Sequence, residues 1–332
     1  IVMYVGGFGL LALSLWEVGG WSALQHKILA MGPQYQDHFK LLLPHDTTGP
    51  FPWTGIVFGL ALVMAVAYMS GNQVIVQRTL GARSEWDAKG GMPFGGLLKS
   101  MIPLMVALPG LCAIVLVPQL GAENADRAVP EMIRLLMPAG LRGLMFAALF
   151  AAMMSHISAS LNSTTTIFIT DIIGQIRNWM GIGPLSEKKA LSLGRIITLA
   201  LIISTALLAE PIANREHIYV FMQTILSLFQ GPLLAILLLG IVWRRATGYG
   251  GLAGLVLGVI FCFVLKYTPG LFASEDPFLF VAWWSFVFAL LVTIVVSLLT
   301  KPESEEKLRG MVWSSVVSDE TAQEALQEKV AQ

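Results

Sequence analysis

Charge is scarce in this chain. Of 332 residues only 13% are Asp, Glu, Lys or Arg, about half the share of a soluble domain. The 21 basic and 21 acidic residues cancel, a balance that by itself says nothing about partners; no nucleic-acid partner is expected. Cysteine is scarcer still. Cys112 and Cys262 both sit in apolar stretches, where they read as packing residues rather than a disulfide or metal pair. The polar segments hold no Gly-rich phosphate loop, metal-ligand cluster or nucleophile motif, so neither an enzyme nor a classical cofactor is expected. His26, His38, His45 and His217 lie in loops or at helix ends, where solvated surface roles are the default.

What is abundant is apolar length. Hydrophobic residues make up 55% of the chain. Runs long enough to cross a bilayer, about 20 residues each, fall at 54–76, 98–118, 142–173, 190–209, 217–243, 249–268 and 277–300. Residues 1–16 form an eighth, shorter run that opens on Ile1 with no charged segment before it. It does not read as a signal peptide, and the chain is expected to begin inside a longer one. The expected fold class is all-α, a polytopic membrane helix bundle.

Lys and Arg orient the bundle. They are concentrated after the second, fourth, sixth and eighth runs (Arg78, Lys188, Arg244, Lys307 among them) and sparser in the alternate segments. The first set is expected to be cytoplasmic, with the tail 301–332 ending on the cytoplasmic side of a plasma or inner membrane. The outer segment 17–53 reads as a lid-type loop. PEMIRLLM, within 119–142, has helical spacing and is expected to lie flat over the entrance.

The run from Gly143 to Asp171 carries an unusual load of hydroxyls. At about 100° per residue, Ser155, Ser158, Asn162 and Thr165 share roughly a quarter of one helix face. Lipid offers such groups no partner, so the face looks at protein or at a water-filled path. Packing between helices explains many such stripes; an ion or solute path is the sharper reading, strengthened by His156 inside it. On 217–243, Gln223, Ser227 and Gln230 recur at i, i+4 and i+7, ahead of a Gly231-Pro232 kink. A glutamine amide suits a neutral polyol or sugar, and an interhelical hydrogen bond is the plain alternative. The run 54–76 ends AYMSGNQ, which suggests a broken helix of the kind that marks transporter substrate sites. Tyr68 reads as a gate ring or an interface aromatic, and Lys99 as a snorkelling residue at its span's cytoplasmic end.

These residues also carry a likeness. GPFPWTGIVFGLALVMAVAYMSGNQVIVQRTLGARS, then ENADRAVP, LMPAGLRGLMFAALFAAMMS and LNSTTTIF, then FMQTILSLFQGP and KPESEEKLRGMVW resemble the solute:sodium symporter family, in its sodium/glucose cotransporter branch. The resemblance implies the second half of a five-plus-five inverted-repeat, LeuT-like fold. Residues 1–16 would end the first repeat's last helix and 17–53 form the outer loop. Residues 54–243 would make the second five-helix repeat, 244–300 two additional helices, and 301–332 the tail. The first repeat's opening helix, which completes both sites in the family, lies outside this chain, which alone is expected not to transport.

The implied function is sodium-coupled symport of a sugar or polyol, with sodium as coupling ion. Tyr68 corresponds to the tyrosine that closes the inner side of the sugar site. Gln223 corresponds to the glutamine that hydrogen-bonds the sugar, and Lys99 to a lysine near its hydroxyls. Ala152, through its carbonyl, and Ser155 correspond to sodium ligands, which hard oxygens and a loosened helix would supply. The chain departs from the pattern at His156, where a second hydroxyl is usual. Either Ser158 takes its place one turn on, or His156 makes coupling proton-sensitive or proton-driven. Ala65 and Met69 also differ from the usual asparagine or serine and tryptophan. Two alternatives stand beside this reading: a symporter of the same family for another small solute, and a sensor that binds solute without moving it.

Overall fold

The computed structural model describes residues 1–40, 42–121, 124–213, 218–274 and 276–315; His217 and the tail beyond Ser315 lie outside them. The chain begins with α1 (Val2–Val18) and α2 (Trp21–Ala30). A π-helix, Gly55–Met64, leads into α3 (Ala65–Gly71), followed by α4 (Gln73–Leu80) and α5 (Glu85–Leu116). Next come α6 (Ala128–Leu136), α7 (Ala139–Ile167), a second π stretch (Phe168–Ile173) and α8 (Gly174–Trp179). The last elements are α9 (Glu187–Ala213), α10 (Ile218–Val242), α11 (Gly248–Tyr267), α12 (Phe278–Leu299) and the short α13 (Glu305–Leu308). Among the described residues six helices are long and apolar enough to cross a membrane, and two broken pairs, α1 with α2 and Gly55–Gly71 with α4, bring the number to eight if each pair is one span. The chain is a multi-pass membrane protein of the all-α class.

It divides into two compact units, residues 1–40 with 73–218, and 41–72 with 219–332. In the first, α1 stops at Gly19 and Gly20, both at positive φ, where the backbone turns back to cap the Leu15 carbonyl. Lys27 Nζ donates to the Val18 carbonyl at 2.8 Å, tying α2 against the end of α1. Leu10, Val18, Leu24 and Ile28 then pack with Cys112 and Val117 of the α5 end and with Met132 and Ile133 of α6. The PEMIRLLM segment is therefore helical, as its spacing predicts, with Met132 and Ile133 fully buried. The 17–53 segment is more ordered than a lid-type loop: Trp21–Ala30 is α-helical and Pro33–Phe39 is a 3₁₀ helix.

The second unit is built on glycine contacts. Gly250, Gly254 and Gly258 recur every fourth residue on α11 and face Ser297, Thr293 and Ala289 of α12 in antiparallel register. A Cβ on Gly250 would overlap the Ser297 hydroxyl and one on Gly254 the Thr293 hydroxyl, so only glycine permits this approach. Gly59 meets the backbone carbonyl of Leu279, and Gly231 meets Ser285 and Ala282. Val63, Met64 and Ala67 pack here with Leu234, Phe278 and Ala282.

The start of the tail is fastened to this unit. Arg245 donates to the Thr300 carbonyl at 2.6 Å and Arg244 to the Ser314 hydroxyl at 2.8 Å. Glu303 pairs with Lys307 at 2.9 Å and accepts from the Gly248 N–H at 3.1 Å. The lysine first, then the amide, hold the Glu303 carboxyl below the usual carboxylate range. Val312 is buried. Residues 301–315 thus form a docked segment.

Candidate functional site

The helix carrying Tyr68 breaks where the sequence predicts. α3 ends at Gly71, and Asn72 takes extended backbone angles, φ −82° and ψ 112°. A Cβ on Gly71 would press on Leu233 and Leu237 of α10. A helix interrupted inside an apolar run leaves backbone groups that need partners other than lipid. The boundary between the two units falls at this break, after Asn72. Tyr68, half-buried, lies one turn before it.

Gln223 sits in the same unit, near the start of α10. Its amide nitrogen donates to the Tyr219 hydroxyl at 2.9 Å, one turn earlier, and the Tyr219 ring lies 6.4 Å from Phe51. Sequence reading missed Tyr219, although an i, i+4 pairing was there to be counted. The three-residue polar face on α10 is not uniformly accessible. Gln223 is half-buried, whereas Ser227 is fully buried and donates to the Thr224 carbonyl at 2.7 Å. Gln230 is also buried, its Oε1 without a partner among the described residues. The helix is assigned unbroken through Pro232, and Gly231 serves the close approach of α12.

The remaining candidates belong to the other unit. Lys99 is exposed, but it does not open a helix. α5 starts at Glu85, N-capped by the Ser84 hydroxyl, which accepts from the Asp87 N–H at 3.1 Å. Lys99 therefore lies mid-helix, one turn before Pro103, which has no N–H to give its carbonyl. Beside it, the Leu98 carbonyl accepts from the Tyr4 hydroxyl at 3.1 Å.

Ala152, Ser155, His156 and Ser158 are all exposed on α7. Ala152 and Ser155 are three residues apart and so lie on one face. The loosening expected near them falls later: α7 is regular α-helix through Ile167, and the wide π turn follows from Phe168. The hydroxyl stripe divides in two. At Thr165 it is structural, with that hydroxyl bonded to Thr198 of α9 at 3.0 Å and Ser163 buried nearby, whereas Asn162 is exposed. Before it, the hydroxyls of Ser155 and Ser158 face no core.

Chemically, the chain offers hydroxyls and carbonyls for a hard cation and an amide with a phenol for a neutral hydroxylated solute. Among the described residues there is no cluster of His, Cys, Asp or Glu fit for a transition metal.

A broken-helix bundle of this kind defines a class. The solved structure of a Na⁺-coupled sialic acid symporter, in a substrate-bound outward-open state, superposes with a TM-score of 0.71 at 20% identity, covering 92% of this chain and 61% of that one. The fold is accordingly the all-α, LeuT-like transporter fold, of which this chain covers a part. Residues 1–258 match the model of the sodium:solute symporter family, and the chain belongs to that family. It is 30% identical over 354 residues to the sodium/myo-inositol cotransporter 2 of Oryctolagus cuniculus, covering 94% of this chain and 52% of the relative. Its identity to the sodium/glucose cotransporter of Vibrio parahaemolyticus is 31% over 337 residues, covering 95% and 59%. The chain thus spans about half the length of the curated relatives it matches.

Proposed function

We propose that the protein couples sodium movement down its electrochemical gradient to the uptake of a neutral polyhydroxylated solute, a sugar or polyol, across a plasma or inner membrane, with the tail cytoplasmic. The observation that carries this is the break at Asn72 immediately after Tyr68, inside a region that matches the symporter family. The relatives' names, for myo-inositol and glucose, support the solute class.

In this reading Tyr68 closes the inner side of the solute site, Gln223 donates to a solute hydroxyl, and Lys99 contributes a charge-assisted bond. The neighbours of Tyr68 pack on Leu233, Leu234 and Leu237, beyond Pro232, whereas Gln223 lies before it. This supports placing the two at different depths. The Tyr219 hydroxyl preorients the Gln223 amide, leaving one N–H and the carbonyl for solute. Sodium binds through the Ala152 carbonyl and the Ser155 hydroxyl, with Ser158 one turn on. Residues 54–243 act as the second repeat, and the exposed α7 face supports a partner segment from the first. A second reading, proton coupling through His156, is favoured by that residue's place beside Ser155 on the exposed stretch.

The test is uptake of labelled glucose, galactose and myo-inositol by the full-length protein in vesicles under sodium, potassium or proton gradients. Sodium-driven uptake that falls on Ser155→Ala and Gln223→Ala is expected. Uptake that follows the proton gradient and disappears with His156→Ala would replace the ion. No uptake by folded protein would remove the transport reading.

A further inference from the structure

The second unit holds a cavity of about 390 Å³, lined by neither Gln223 nor Tyr68. It lies between the start of the π-helix, the beginning of α12 and the segment that follows α11. Two ring pairs wall it. Phe58 and Trp283 lie 5.1 Å apart, and Phe272 and Phe280 are stacked at 5.2 Å with planes only 4° from parallel. Gly55 and Gly59 line it on the π-helix side. Exposed His45 stands among the lining residues, and Thr54 among them carries a hydroxyl that is buried without a hydrogen-bond partner among the described residues.

We propose that this cavity binds a membrane-partitioning alcohol with a rigid fused-ring body, of the sterol class. An aromatic lining, with the Phe58 and Trp283 rings tilted 49° to each other, favours a rigid ring system over a flexible acyl chain, because packing against rings loses little conformational freedom. Among the described residues no Lys, Arg, Asp or Glu lines the cavity, which leaves an anionic or zwitterionic headgroup without charged partners there. The volume is at the low end for ligand pockets and holds one ring body, not a two-chain lipid. Thr54 and His45 match a single ligand hydroxyl: the threonine oxygen gains the partner it lacks by a turn about χ1, and the imidazole stands ready at the solvent side. Exposed Trp284 lines the cavity and exposed Trp53 adjoins Thr54 in the chain, aromatic residues of the kind enriched at a membrane–water interface.

The experiment uses the full-length protein in phosphatidylcholine nanodiscs, with dehydroergosterol as a fluorescent acceptor for Trp283 and Trp284. Saturable energy transfer is expected. Ala273→Phe, an exposed position in the cavity wall, fills the space and should weaken binding about tenfold or more. Thr54→Val should weaken it about fivefold, the worth of one hydrogen bond. Methylating the sterol hydroxyl should abolish the difference between Thr54→Val and the parent. Transfer that never saturates, or that saturates equally with Ala273→Phe, would overturn the proposal. Sodium-driven uptake is not a readout here, so the proposal can fail while the transport reading stands.

Discussion

α11 with α12, and α7 with α9, are two pairs of apolar helices that carry small residues and hydroxyls, and they use them differently. α11 and α12 meet along three glycines in register with Ser297, Thr293 and Ala289, and the hydroxyls there are buried. Thr293 bonds its own helix and Ser297 accepts from the Thr247 N–H. α7 and α9 share the Thr165–Thr198 bond, but Ala152 to Ser158 stay exposed. The same residue types therefore pack where a glycine stripe lets backbones close up, and stay open where hydroxyls face away from the core. In a membrane protein, hydroxyls with no protein neighbour are costly against lipid, so the exposed stretch of α7 is the part that a site must explain.

The comparison breaks most visibly at glycine. Gly254→Val should cost about 1–3 kcal/mol or more, since the side chain must displace α12. Gly143→Ala on α7, where nothing lies within 4 Å of an added Cβ, should instead raise stability by up to about 1 kcal/mol through helix propensity. Thermal unfolding of the two variants in one detergent gives opposite signs if the regions differ as described.

Next in size is Ser155→Ala. It should leave the unfolding temperature unchanged yet weaken sodium affinity about tenfold, the scale of one hydrogen bond or ligand to a charged partner. Thr198→Val, the structural counterpart, should reverse that pattern: about 0.6 kcal/mol of stability lost, the average for a hydrogen bond between membrane helices, with sodium affinity intact.

The smallest effect is expected at the tail. Glu303 has a carboxyl held low by Lys307 and by the Gly248 N–H. Its contribution to docking is present above the ordinary carboxylate range and is lost as pH falls through the lowered value. Proteolysis of the tail should therefore accelerate only in acid below the usual carboxylate range. Glu303→Gln should remove most of that pH dependence.

Much of this was legible from residue order. Eight apolar runs correspond to six continuous helices and two broken pairs, because bilayer thickness fixes run length. The break at Asn72 was legible from Gly71 and its polar neighbours. The start of α5 was not legible, because the helix from Glu85 passes through three prolines and a polar start, and hydropathy alone begins it too late. The loosening expected near Ala152 lies instead at Phe168–Ile173, since the spacing of hydroxyls carries no signal for a π turn. Ser227 and Gln230 share a face with Gln223 by periodicity, but how deep each is buried depends on what α12 brings against α10, which no local pattern encodes. The Gly250–Gly254–Gly258 stripe was present at its four-residue interval and went unread.

The most direct test of sodium–solute coupling is reciprocal binding by the full-length protein. Calorimetry would measure the affinity for glucose or myo-inositol with and without saturating sodium, and the affinity for sodium with and without solute. Linkage requires both to tighten by the same factor, and Ser155→Ala and Gln223→Ala should each diminish it. Equal solute affinity in sodium and in potassium, with both variants indistinguishable from the parent, would contradict the assignment of these residues to a coupled pair of sites.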